Sequence, residues 1–293
     1  MERRIALIGF GEAARAFAPG LSAHLCAYDR KTDAPDTRAA AASAMAQAGV
    51  RCAADARDAA ADADAVLSLV TADQAVVAAG AGDRLPDGAW WFDMNSVAPD
   101  TKRAAAAAVA ARGGRYLDVA VMAPVLPRRT AVPLLVSGPD AQDGATFLRQ
   151  LGFAEVAVAG EAVGMASAIK MIRSVMVKGI EALSVECALA ADAAGVLDAV
   201  VASLDASWPG ADWRDRFDYN LDRAMLHGER RAAEMEEVAA TLDALGTGAA
   251  MSRATVHRQR GVGTLHIAPP PGLNAKLRAL APFTHIPVEE AAA

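Results

Sequence analysis

Cysteine is scarce in this chain: Cys26, Cys52 and Cys187 are all there is in 293 residues. Their scatter fits neither a disulfide framework nor a zinc site and points to a reducing compartment, the cytoplasm. Positive charge is also short. The net charge is −6, so no basic excess exists to displace counterions, and nucleic acid is excluded as the main partner. No run of about 18 uncharged apolar residues occurs, so no membrane-spanning helix is expected. Met1-Glu2-Arg3-Arg4 leads straight into a strand-like run, which predicts no secretory signal. The histidines (His24, His227, His257, His266, His285) are dispersed without ligand spacing, so no metal is expected. Neither a Gly-x-x-x-x-Gly-Lys loop nor a nucleophile elbow is present.

What is present is globular. Hydrophobic residues make up 54% and charged residues 22%. Alanine, the best helix former, supplies about a quarter of the chain and favours a helix-rich fold. Lysine is rare and arginine common; this bias and the alanine excess are read as genome composition and not as function. The length allows one large domain or two ordinary ones.

Strands are predicted at 4–8, 23–28, 65–70, 89–93, 116–122 and 133–137, and helices at 12–22, within 38–63, at 72–80 and at 99–112. Pro99 opens the last of these helices and Gly113-Gly114 closes it. Alternating strands and helices imply βαβ units and a mostly parallel sheet. From 161 onward no convincing strand occurs. Helical spacing runs over about 162–194, 196–206, 212–245 and 247–260, and a Pro-rich tail from 267 is expected to wrap the surface. The prediction is an α/β fold. An N-terminal Rossmann doubly wound sheet (1–159) binds dinucleotide, and an all-helical C-terminal domain (160–293) serves substrate binding and dimerisation.

Gly9-Phe10-Gly11-Glu12-Ala13-Ala14 fits G-x-G-x-x-G/A between the first strand and the first helix, the context that gives the motif meaning. Gly9 allows the tight turn, Gly11 lets backbone approach a pyrophosphate, and Ala14 lets helix pack on strand. The helix start favours phosphate charge. Asp29 ends the second strand where a ribose-binding acid is expected, which favours NAD. Arg30 and Lys31 follow it; they read either as a clamp for the 2′-phosphate of NADP or as solvated loop charges.

Three further motifs join the glycine loop: Asp93-Met94-Asn95-Ser96-Val97-Ala98-Pro99, Asp118-Val119-Ala120-Val121-Met122-Ala123-Pro124, and the run from Gly160 through Gly164 and Lys170 to Ser174. Together, in this order from residue 4 to about 185, they resemble the β-hydroxyacid dehydrogenase family, which includes 3-hydroxyisobutyrate and 6-phosphogluconate dehydrogenases. The helical remainder resembles the phosphogluconate dehydrogenase-like C-terminal domain of unknown function found in one branch. The resemblance implies an NAD(P)-dependent dehydrogenase, with Val70-Thr71 and Asn95-Ser96 near the ribose and nicotinamide. It also implies a substrate between the domains and Lys170 as the catalytic lysine. Lys170 would be general base as hydride leaves the substrate and general acid in reverse. Its apolar flanks Ala166, Ile169, Met171 and Ile172 agree, since desolvation lowers a lysine pKa toward working pH. On spacing alone, a snorkelling lysine with a surface ion pair is the simpler reading.

Two departures bear on substrate. Ser174 stands where the family usually has Asn, and Met122-Ala123-Pro124 stands where it has Ser-Gly-Gly. Proline lacks an N–H and methionine brings an apolar side chain, which points to a bulkier or less polar substrate. In the helical half, His227, Arg231 and Glu234 share a helix face with Arg230. They read as a carboxylate clamp or as a salt-bridged solvent face. Trp208, Trp213, Phe217 and Tyr219 cluster in a chain with few aromatics and read as the lining of a pocket or, more simply, as core or dimer packing. A homodimer through the helical domain is implied by the resemblance. Two alternatives stay open: an imine reductase-like enzyme, which typically has another residue at Lys170, and a non-catalytic dinucleotide sensor.

Overall fold

The computed structural model describes residues 3–283; the expectations placed on Met1, Glu2 and His285 lie outside the described residues. The chain divides into two compact units after Lys170. The first runs β1 (Arg4–Ile8), α1 (Glu12–Phe17), β2 (His24–Tyr28), α2 (Pro35–Gln47), β3 (Arg51–Cys52), α3 (Ala56–Ala60), β4 (Ala65–Ser68), α4 (Ala75–Ala79), β5 (Trp90–Asp93), α5 (Pro99–Ala110), β6 (Arg115–Val121), the short turn α6 (Val125–Arg128), β7 (Leu134–Ser137), α7 (Ala141–Leu151), β8 (Val156–Gly160) and the start of α8 (Met165–Ala193). The sheet order is β3-β2-β1-β4-β5-β6-β7-β8, and all neighbours are parallel except β6 and β7.

Every residue of β4 (Ala-Val-Leu-Ser) and β5 (Trp-Trp-Phe-Asp) is buried, as parallel strands covered on both faces must be. The pleat sorts side chains between two cores. Ile5 and Leu7 pack with Phe92, Leu117 and Val136, whereas Ala6 and Ile8 pack with Val66, Trp91 and Tyr116. Truncating the fully buried Phe92 to Ala costs about 3–5 kcal/mol by general experience with such sites. Strand order reverses between β1 and β4, so a crevice opens beyond their carboxyl ends, where doubly wound sheets hold ligands.

The elements depart from expectation where local pattern is weak. The helix expected over 12–22 stops at Phe17 and tightens into a 3₁₀ turn, Ala18–Gly20, around Pro19. The alanine-rich stretch 38–63 contains part of α2, the small strand β3 and α3, separated at Gly49, whose φ is +68°. Helix α7 and strand β8 were not anticipated; β8 pairs with β7 and extends the sheet. The tail from 267 does not simply wrap the surface. It contains α12 (Leu273–Leu280), whose Leu273, Leu277 and Leu280 are core residues.

The second unit continues α8 and adds α9 (Leu197–Ser207), α10 (Trp213–Ala244), α11 (Ala250–Gly263) and α12. Helices α10 and α11 meet backbone to backbone at two glycines. A Cβ on Gly228 would lie 2.3 Å from the Gln259 carbonyl oxygen, and one on Gly263 would lie 2.4 Å from Glu229 N. Asp212 caps α10 by accepting the Asp215 N–H (3.0 Å). Trp208, Trp213 and Phe217 form an edge-to-face series with centroids 5.6 and 5.8 Å apart, ending in the core at Phe217, while Tyr219 is exposed. Among the described residues no helix is long and apolar enough to cross a membrane.

Candidate functional site

The loop after β1 is built as a dinucleotide loop must be. Gly9 has φ +91°, and a Cβ there would sit 2.5 Å from the Leu69 carbonyl oxygen, so only glycine fits. Gly11 precedes α1, and a Cβ added to it meets nothing within 4 Å, so the space before the helix is open. Ala14 is fully buried, while Glu12 is exposed and Ala13 half-buried. Asp29, at the end of β2, holds the loop: Oδ2 accepts the Phe10 N–H (2.7 Å) and Oδ1 the Lys31 N–H (2.9 Å). Arg30 and Lys31 are exposed beside it.

Beyond β4 and β5, Asn95 ties two loops together. Its Oδ1 accepts the Val70 N–H (2.7 Å), and its Nδ2 donates to Ser68 Oγ (2.9 Å). The buried Asn95 amide is thereby committed to shaping the Val70-Thr71 segment. Side-chain hydrogen bonds from Thr71 and Gln74, with a smaller pull from Arg30, hold the Asp73 carboxyl below the usual carboxylate range. Ser96 Oγ is buried without a hydrogen-bond partner. The open space at Gly11 and this unpartnered hydroxyl, both at the carboxyl edge of the sheet, fit a bound dinucleotide.

Beneath that edge lies a charged cluster that sequence reading missed. Lys102 of α5 is fully buried and donates to Asp93 Oδ1 (2.9 Å) and to the Asp93 carbonyl oxygen (2.7 Å). It lies 3.4 Å from Asp118 Oδ1. Tyr116 donates to Asp93 Oδ2 (2.8 Å), and its phenol is pushed well above its ordinary pKa, first by burial and then by the Asp93 charge. Asp118 Oδ2 accepts the Ser167 N–H (2.9 Å) and the Ser137 hydroxyl (3.3 Å), while Ser137 Oγ accepts the Ala166 N–H (3.0 Å). The available signal was an aspartate in each of two buried, mostly apolar strands.

Lys170 is half-buried one turn beyond Ser167. Met122 and Ala123 are half-buried and Pro124 is exposed, just past the end of β6. The expected boundary at 159/160 falls just before the last residue of β8, and residues through Lys170 group with the sheet, to which Ala166 and Ser167 are hydrogen-bonded.

Ser174, His227 and Arg231 belong to the second unit. Ser174, Lys178 and Glu181 line the buried face of α8. Lys178 Nζ reaches Glu234 Oε2 (2.5 Å) and Arg231 Nη1 reaches Glu181 Oε2 (2.5 Å). The solvent-face reading therefore does not fit Arg231, which is buried against α8, whereas Arg230 is exposed. Burial pushes the Lys178 ammonium pKa down against the opposing pull of Glu234, and pushes the Glu181 carboxyl up against Arg231. His227 is half-buried and lines a cleft of about 530 Å³ with Met225, Glu229, His266 and Ile267. Among the described residues no cluster of three or more His, Cys, Asp or Glu is arranged to hold a metal.

Residues 4–145 match the family described as the NAD binding domain of 6-phosphogluconate dehydrogenase, and residues 191–262 match the domain of unknown function DUF1932. A conserved hypothetical protein from Sinorhizobium meliloti 1021 is 40% identical over 97% of both chains, with a TM-score of 0.76. The conserved protein MTH1747, of unknown function and described as structurally similar to 3-hydroxyacid dehydrogenases, is 28% identical over 90% of this chain and 98% of its own, with a TM-score of 0.69. This chain belongs to the β-hydroxyacid dehydrogenase family. Its branch is the one that carries the DUF1932 domain. A 3-hydroxyisobutyrate dehydrogenase from Mycobacterium tuberculosis shares the fold at 17% identity over 96% of this chain and 99% of its own, with a TM-score of 0.75. No curated protein matches the chain. As in the rest of the family, the first unit is a nicotinamide-dinucleotide-binding domain.

Proposed function

We propose that this family member transfers hydride between a nicotinamide dinucleotide and a hydroxy acid or related alcohol, with Lys170 as general acid and base. The observation that carries the reading is the placement of Lys170 one helical turn beyond residues hydrogen-bonded to the sheet that bears the glycine loop. Gly9, Phe10, Gly11, Glu12 and Ala13 would hold the pyrophosphate, Val70, Thr71, Asn95 and Ser96 would border the nicotinamide ribose, and a nicotinamide bound there would supply the hydride acceptor or donor. Lys170 Nζ takes the hydroxyl proton as the carbon–hydrogen bond breaks and the carbonyl forms, and returns it in reverse.

NAD is favoured over NADP because the Asp29 carboxylate, fixed by two backbone N–H groups, repels a 2′-phosphate; Arg30 is the residue that would oppose it. Met122, Ala123, Pro124, Ser174, His227 and Arg231 are assigned to the substrate side, and the apolar Met122-Ala123-Pro124 segment favours a bulkier or less polar substrate. We also assign a homodimer through the helical unit, supported by Met176 and Leu183, which stand exposed along α8. Three free thiols agree with a cytoplasmic site of action.

The test is NAD(P)H absorbance with both cofactors across 3-hydroxy acids, sugar acids and aromatic hydroxy acids, with Lys170→Ala in parallel. Turnover that disappears in Lys170→Ala is the expected result. A preference for small hydroxy acids overturns the substrate assignment. Full activity in Lys170→Ala overturns the catalytic one, and intact cofactor binding without turnover of any substrate moves the assignment to a sensor.

A further inference from the structure

Helix α8 starts without a capping side chain of the usual type just before it. Its four leading N–H groups need acceptors, yet the residues before it (Gly160-Glu161-Ala162-Val163-Gly164) offer no Ser, Thr, Asp or Asn. The Met165 N–H turns back to the Ala162 carbonyl oxygen (3.3 Å), and the acceptors for the next two N–H groups come from the sheet. Ser137 of β7 takes the Ala166 N–H, and Asp118 of β6 takes the Ser167 N–H. All three side chains of this junction (Asp118, Ser137 and Ser167) are at least nine-tenths buried. The Asp118 carboxylate faces the positive end of a 29-residue helix, the favourable sense for the helix dipole. Lys102 supplies its counter-charge, 3.4 Å from Oδ1. The turn is also pressed against α5: Gly164 has φ +100°, and a Cβ there would come 3.1 Å from Pro99.

Two consequences follow from geometry. Lys170 lies three residues past Ser167, on the same helix face. Met122 lies four residues past Asp118, immediately beyond the end of its strand and about 13 Å along the chain. One carboxylate thus fixes both the strand that leads to the substrate-side segment and the helix turn that carries the lysine. We propose that Asp118, with Ser137 as its partner, is the positioning residue for Lys170. It touches neither cofactor nor substrate and acts through the Ser167 N–H. This inference rests on the assignment of Lys170 as acid and base, and misplacement of such a group by about 1 Å can cost two orders of magnitude in rate.

The chain has only five lysines, so protein labelled with ¹³C-lysine gives five side-chain Cε signals, and Lys170→Arg identifies the one from Lys170. In the wild type, NADH should shift the Lys170 signal. In Asp118→Asn, which keeps the shape and removes the charge, NADH should bind within twofold of wild type while the Lys170 response shrinks by half or more. Hydrogen exchange should speed up at least tenfold over 165–168 and stay unchanged in β1 and β4. Ser137→Ala, the milder variant, should show the same pattern at reduced size and serves where Asp118→Asn is unstable. With any hydroxy acid the enzyme turns over, Asp118→Asn should lower kcat about 10- to 100-fold with KM for NAD unchanged, and should add nothing in a Lys170→Ala background. A Lys170 signal that ignores NADH in the wild type overturns the lysine assignment itself. A wild-type response that survives intact in both Asp118→Asn and Ser137→Ala overturns the positioning role alone.

Discussion

Each unit buries a lysine, and the two are held differently. In the sheet, Lys102 and both its carboxylate partners are essentially sealed: side-chain exposures are 0% for Lys102, 1% for Asp93 and 0% for Asp118. Its ammonium donates to the Asp93 carbonyl and carboxylate and forms a longer ion pair, at 3.4 Å, with the Asp118 carboxylate. Among the helices, Lys178 is 7% exposed and has one close carboxylate, Glu234, itself 24% exposed. Strands fix carboxylates at matched register positions, as Asp93 and Asp118 are, so a sheet can surround a cation. Two crossing helices offer one partner at a time and leave an edge open to water. The first arrangement is a closed electrostatic joint; the second is a pair that solvent can repair.

The strongest way to break the comparison is Lys102→Met. It strands two buried carboxylates, and removal of one partner from a buried ion pair costs about 3–5 kcal/mol. A large fall in the urea midpoint is expected, with loss of the folded first unit as the extreme case. Lys178→Met should cost about 1–2 kcal/mol in the same assay, since Glu234 can turn to water. Equal losses would remove the distinction between the joints.

Titration sharpens it further. Burial depresses the Lys178 pKa below its unfolded value of 10.5. Between those two values the unfolded chain binds more protons, so this group's contribution rises with pH toward 10.5 and is lost as pH falls through the folded pKa. Lys178→Met should flatten that alkaline rise in a pH series of urea midpoints. The smallest effect lies in the first unit and runs the other way. Burial, helped by its hydrogen bond to Asp33, pushes the Tyr28 phenol up to about 12 from 10.0. Its contribution is present below pH 10 and fades as pH climbs to about 12, so Tyr28→Phe should lessen the decline over that interval.

Much of the first unit is legible in its residues because the signals are local. Ala65 to Ser68 is a buried run, and Gly9 needs a positive φ that no other residue takes easily. The long α8 and α10 announce themselves by helical spacing. What was not legible depends on partners remote in sequence. The antiparallel placement of β7, the eighth strand and the burial of Arg231 against Glu181 are all decided by neighbours. Lys102 reads as an ordinary helix lysine until Asp93 and Asp118 close around it. The C-terminal helix was hidden by the three prolines at 269–271, although Leu273, Leu277 and Leu280 repeat at helical spacing. At the site, residue types pointed to Asp29 and Lys170, but the capping of the lysine's helix by Asp118 spans 49 positions of chain.

The distribution of lysines has a practical consequence for anyone handling the protein. Of the five, all among the described residues, Lys102, Lys178 and Lys276 are buried, Lys170 is half-buried and Lys31 is exposed. Acylating tags, cross-linkers and immobilisation chemistries that seek side-chain amines will therefore converge on Lys31, two residues past the carboxylate that steadies the glycine loop. Coupling through amines modifies the molecule beside its glycine loop, while coupling through an exposed thiol such as Cys52 avoids that reagent bias. The same bias makes the acylation rate of Lys31 a ready gauge of whether that loop is covered.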